Sequence, residues 1–160
     1  MSTFARIMTI ACAVGSATAA GALFTFSNFS IEGLKRLPPE QGAAAMQAIN
    51  REAPNPVFML VLMGTGAGCL VLGIQSAPNL DDPAARYRLV ACGLYVVGVV
   101  VLTGANHVPR NDRLEAFDPT SAEGIAYWST YLTEWVRMNH VRTIAGVASA
   151  GLLATSLRFG

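Results

Sequence analysis

Apolar residues along this chain fall in long uncharged blocks, without the alternation of a half-buried strand. Crossing a hydrocarbon core of ~30 Å as a helix takes about 20 mostly apolar residues. The first block runs from Ile7 to about Phe29, bounded by Arg6 and Glu32; the second runs from about Pro56 to Gln75, and the third from about Leu89 to Ala105. The fourth is shorter. Thr143 to Leu157 is uncharged, and at 1.5 Å per residue it covers only about 22 Å. To span, this helix must borrow residues between Trp128 and Arg142, drawing a polar and aromatic surface to the membrane boundary or below it. The pattern therefore predicts an all-α fold, a four-helix transmembrane bundle in a single domain over residues 1–160. Its spans cover about 7–29, 56–75, 89–105 and 125–157.

The first block imitates a secretory signal through Arg6 and the small-residue run Ala17-Thr18-Ala19-Ala20. Its apolar run continues through Leu23, Phe24, Phe26 and Phe29, which suits a spanning helix better. In the first loop, Pro38-Pro39-Glu40 is a start signal for a short helix, since proline is tolerated in a first turn. That helix is expected at the interface, with Met46 and Ile49 on the membrane surface. The second loop, Ser76 to Arg88, reads as a turn, and the third, Asn106 to Ser121, as a polar, proline-bearing connection. Gly64 and Gly68, like Gly146 and Ala150, have the small-xxx-small spacing of close helix packing.

Composition supports the membrane reading. Charged residues make up 13% of the chain and hydrophobic ones 52%, where a soluble domain carries roughly 25% charged residues. A net charge of +1 offers no basic surplus for nucleic-acid phosphates. Cys12, Cys69 and Cys92 sit inside apolar blocks without metal-ligand spacing and read as lipid-facing or packing thiols. Lys and Arg divide four against five between the two sides, leaving orientation open. The expected location is an integral one in a bacterial plasma membrane, with the lipid bilayer as partner.

Candidate chemistry concentrates in two stretches. One is Asn106-His107-Val108-Pro109-Arg110-Asn111-Asp112-Arg113-Leu114; the other carries Trp128, Tyr131, Trp135, Asn139, His140 and Arg142. At about 100° per residue, Trp128, Tyr131, Trp135, Asn139 and Arg142 share an arc of roughly 80°, while His140 points away from it. An interfacial belt accounts for the aromatics. It accounts less well for Asn139 and Arg142, because an intramembrane arginine costs on the order of 2.5–3.5 kcal/mol and usually faces a bundle interior. His107 reads either as part of a helix exit, with Asn106 and Pro109 ending the span, or as a proton acceptor on a loop over the bundle mouth. Asn28 near the end of the first span is a further pocket candidate.

At these residues the sequence resembles the anthrone-oxygenase-like family of small four-span membrane proteins. The resemblance is carried by Phe24-Thr25-Phe26-Ser27, Leu37-Pro38, Ala45-Met46-Gln47-Ala48-Ile49-Asn50, Asn55-Pro56-x-Phe58, Val108 to Leu114, and the Trp128/Trp135/Asn139-His140-Val141-Arg142 helix. It implies oxygenation of an anthrone to an anthraquinone with O2 and no organic cofactor. Such chemistry needs a base, a group to hold an enolate oxygen and an apolar slot for flat rings. By residue chemistry, His107 or His140 is the base, and Arg142 with Asn111 or Asn139 the anion stabiliser. Trp128, Tyr131 and Trp135, with Asn106 and Asn28, supply the substrate site. Two other readings stand beside it. One is a non-enzymatic subunit that binds a membrane protein, a second copy or lipid; the other is a haem or copper site on His107 and His140.

Overall fold

The computed structural model describes residues 2–159, which form five helical rods and, among the described residues, no strand. We label them α1 (Thr3–Leu34), α2 (Pro39–Glu52), α3 (Pro56–Asn79), α4 (Pro83–Glu115) and α5 (Ala122–Ser156), the last closed by a 3₁₀ turn, Leu157–Phe159. The helix starts are written in the sequence. Asn55 caps α3 by accepting from the Phe58 amide at 3.0 Å, and Asp82 caps α4 by accepting from the Ala84 amide at 2.9 Å. Each is followed by proline in the first turn, where no amide hydrogen is needed. Ser121 caps α5 in the same way, at 3.0 Å from the Gly124 amide. Just before it, the Thr120 amide and hydroxyl donate to Asp118, holding that carboxyl below the usual range.

α1, α3 and α4 are long and apolar enough to cross a membrane. α5 completes the four-helix bundle, running along α1 and α4. Large apolar side chains such as Ile7, Val14, Leu60, Ile74, Val97, Ile144 and Val147 point outwards and are exposed, as lipid-facing positions should be. Between the rods, the core contains Leu23, Leu62, Leu72, Tyr95, Val99 and Leu153 together with all three cysteines, which are free and buried. The cysteines are thus packing thiols.

Small residues set the helix spacing. A Cβ added to Gly98 would lie 2.5 Å from the Ala145 Cβ, and one on Gly146 would lie 2.9 Å from the Ala20 Cβ. Gly98→Ala therefore forces α4 away from α5. The expected loss is about 1–3 kcal/mol, read as a lower unfolding midpoint in detergent with helix content retained.

Two expectations are corrected here. α2 does not lay Met46 on the membrane surface: Met46 and Ala43 are buried in a second core with Ile31, Leu114, Trp128, Tyr131 and Trp135. α2 is anchored there because the Gln47 side-chain amide donates to the carbonyls of Leu114 and Phe117, both at 2.9 Å. Nor do Asn106 and Pro109 end the helix of the third span. α4 continues through Pro109 to Glu115 because the turn Thr103–His107 is a wide one, with the Val108 amide donating five residues back to Thr103. Proline breaks a regular helix through its missing N–H and its clash with the fourth preceding carbonyl; the widened turn before Pro109 relieves both.

Candidate functional site

α1 and α4 each carry a wide turn beside the same region, at Phe26–Ser30 and Thr103–His107. Such turns change which carbonyls and side chains face inwards and recur at functional positions. In α4 the turn brings His107 into the bundle, only 1% exposed. Its Nδ1 lies 3.4 Å from the Leu102 carbonyl, and its ring meets Trp135 edge-on at 5.2 Å. A carbonyl partner requires Nδ1 to carry the hydrogen. Nε2 is then a lone-pair acceptor, and among the described residues it has no hydrogen-bond partner.

Arg142 is 5% exposed, and no carboxylate lies within ion-pair distance of it among the described residues. Its Nη1 donates to Thr103 Oγ1 at 3.0 Å, its Nη2 donates to Asn139 Oδ1, and the guanidinium carbon stands 5.6 Å from the Trp135 ring centroid. Nε has no partner. Asn139, fully buried, is itself pinned: its Nδ2 donates to the Leu23 carbonyl and to Ser27 Oγ, both at 2.7 Å. A cation in the bundle is therefore held by neutral acceptors alone.

Asn111, one helical turn beyond His107, lines the same cavity as His107 and Arg142. Its Oδ1 accepts from the Tyr131 hydroxyl at 2.8 Å and from Trp135 Nε1 at 3.0 Å, so the amide is fixed with its NH2 free to donate to an occupant. Trp128, Tyr131 and Trp135 stack in succession along α5, with centroids 5.7 and 5.9 Å apart and planes within 22°. Asn111→Leu strands two buried donors. It is expected to lower stability by about 2 kcal/mol and to shift tryptophan emission, which thermal unfolding and fluorescence would read together.

These groups face a cavity of about 580 Å³, within the ~300–1,000 Å³ range of small-molecule sites. Leu23, Phe26, Met46, Ile49, Ala53 and Phe58 make its walls apolar; His107, Asn111, Trp135 and Arg142 give it one polar face; Asn50, Glu52 and Asn55 also line it.

The structure brings together His107, Asn111, Trp135, Asn139 and Arg142. Trp128 and Tyr131 are buried beneath α2 and support Trp135 without lining the cavity. The stripe is thus turned inwards and is not an interfacial belt. Asn106 is half-buried outside the lining; its carbonyl accepts from Arg110, and its Oδ1 has no partner. His140 is exposed and does not join His107, as its angular offset from the stripe implies. Asn28 is likewise exposed, and its neighbour Ser27 is the α1 residue that faces inwards.

The family model described as Anthrone oxygenase matches residues 58–152, more than half of the chain. The chain belongs to the anthrone oxygenase family. The matched segment holds His107, Asn111, Trp135, Asn139 and Arg142, so the polar face lies inside the part shared with anthrone oxygenases, while the contributions of α1 and α2 lie outside it. No curated protein and no solved structure matches the chain.

Sequence reasoning missed Thr103, which orients Arg142, and Asn50, whose Nδ2 reaches the Tyr131 hydroxyl at 3.4 Å. For Asn50 a signal existed in the polar end of a helix otherwise rich in alanine. Thr103 gave none, because a threonine in an apolar span ordinarily bonds back to its own helix, as this one also does to the Val99 carbonyl.

Proposed function

We propose that the cavity is the reaction site of a dioxygen-using oxidoreductase in the membrane, acting on a flat phenolic, anthrone-like substrate without an organic cofactor. The observation that carries this reading is the meeting of an acceptor nitrogen, a cation without a counter-ion and a fixed amide donor on one face of an apolar cavity. A base and an anion site side by side are what removal of a proton alpha to a carbonyl requires.

In this account the ring system lies against the apolar walls with its carbonyl oxygen towards Arg142 and the Asn111 amide. His107 Nε2 takes a proton from the acidic methylene, and the enolate forms beside the imidazolium and the guanidinium, whose positive charges stabilise it. This anion is electron-rich enough to reduce O2 directly. One oxygen atom replaces the two methylene hydrogens, giving the quinone carbonyl, and the other leaves as water, so that anthrone and one O2 give anthraquinone and one H2O. His107 returns the first proton to the peroxide so formed; it then takes the second methylene proton as the O–O bond breaks, and passes that proton to the departing hydroxide, which leaves as water.

An uncompensated Arg142 also weighs against a purely structural role, since a buried charge contributes little to stability unless paired. A two-histidine haem or copper site is not supported by the placement of His107 inside and His140 outside. The test is oxygen uptake by purified protein supplied with anthrone. The expected result is uptake above the spontaneous rate, with one O2 consumed per quinone formed; uptake no faster than the spontaneous rate would overturn the proposal.

A further inference from the structure

The cavity has an opening at membrane depth as well as a polar rim. Ala22 lines it and is exposed. Ala22 lies ten residues before Glu32, the first charge after the apolar run of α1, or about 15 Å along the helix axis. The next residue, Leu23, supplies the carbonyl to which Asn139 donates, and Asn139 holds Arg142. The side opening and the cationic centre therefore stand at one level in the bundle. Exposed Ala48 and Glu52 on α2, with exposed Asn55, which caps α3, line the rim that opens towards water.

We infer that the occupant arrives sideways from the bilayer and is an amphiphile, a phenol carrying a hydrocarbon chain, with its head on Arg142 and Asn111 and its chain left among the lipid tails past Ala22. The inference rests on the reading that the cavity takes a phenolic head. It adds the substrate class and the direction of access. A bilayer-dissolved chain has already left water. If it stays among lipid tails when the head binds, lengthening it changes nothing in the transfer from membrane to site. A site reached from water and closed towards the lipid would have to take the decyl chain into the cavity with the head, so filling the side opening at Ala22 would not weaken binding of the longer ligand.

The experiment uses full-length protein in dioleoylphosphatidylcholine vesicles and measures saturable binding of tritiated 4-ethylphenol and 4-decylphenol, with ligand expressed per lipid. The dissociation constants are expected to agree within about threefold. Ala22→Phe, at an exposed position, should weaken decylphenol binding by about tenfold or more, and Val14→Phe, exposed on the same helix away from the cavity, should leave it unchanged. A larger penalty on the decyl chain, an Ala22→Phe protein that is folded by circular dichroism and binds as before, or no saturable binding of either phenol would overturn the inference. The chain-length comparison needs no variant, so a penalty on the decyl chain overturns the inference even if Ala22→Phe does not fold. Binding is read without turnover, so absence of oxygen uptake would remove the oxygenase reading alone.

Discussion

Replacing Arg142 by methionine is expected to cut anthrone-dependent oxygen uptake by about 10²–10³, the loss typical of removing one donor to a developing oxyanion, while leaving the fold intact. The second half of this expectation is the less usual one. Arg142 is buried at the depth of Leu23, and its two donors go to Thr103 and Asn139, both uncharged. Methionine fills a similar volume and removes the desolvation cost of a cation that no carboxylate offsets. Against this, Asn139 Oδ1 loses its donor, at about 1–3 kcal/mol. The two effects oppose, so the unfolding midpoint of Arg142→Met should move little or rise. Activity lost with stability kept is the signature of a residue retained for binding an anion; a collapse of both would assign Arg142 to architecture.

His107→Ala is expected to lower turnover by about 10²–10⁴, the range for loss of a general base, with KM for anthrone much less affected. The substitution leaves a space on the cavity wall beside Trp135, where the imidazole ring now packs. Free imidazole added to the His107→Ala protein should restore part of the rate in proportion to its concentration. A role confined to packing against Trp135 would not respond in this way to an added base. His140→Ala, at an exposed position, serves as the comparison and should leave the rate unchanged.

The bundle was legible because membrane spans announce themselves by uncharged length, and the inward stripe on α5 because Asn139 and Arg142 share an arc with three aromatics. The shortage of uncharged residues in the last apolar block, Thr143 to Leu157, pointed to Arg142. What composition and period did not reveal were the wide turns. A regular helix would end before Pro109 and leave His107 at its exit, whereas the turn Thr103–His107 carries α4 through the proline and turns the imidazole inwards. The same limit explains Asn28 and Ser27. Both lie in the wide turn Phe26–Ser30, where counting at 100° per residue no longer says which of two neighbours faces Asn139. α2 was foreseen as a helix, but its partner surface was not, because Met46 and Ala43 would be equally satisfied against lipid. Only the bonds from Gln47 to the Leu114 and Phe117 carbonyls settle that it covers the bundle end.

The central claim is that His107 and Arg142 make and hold a substrate anion that O2 then oxidises. Its most direct test is the rate of quinone formation from anthrone in air, followed by absorbance, for the unaltered protein, His107→Ala and Arg142→Met at equal concentrations and with the spontaneous rate subtracted. The account predicts rapid formation by the unaltered protein and near-background rates for both variants, each still folded by circular dichroism. Unchanged rates in both variants would contradict it.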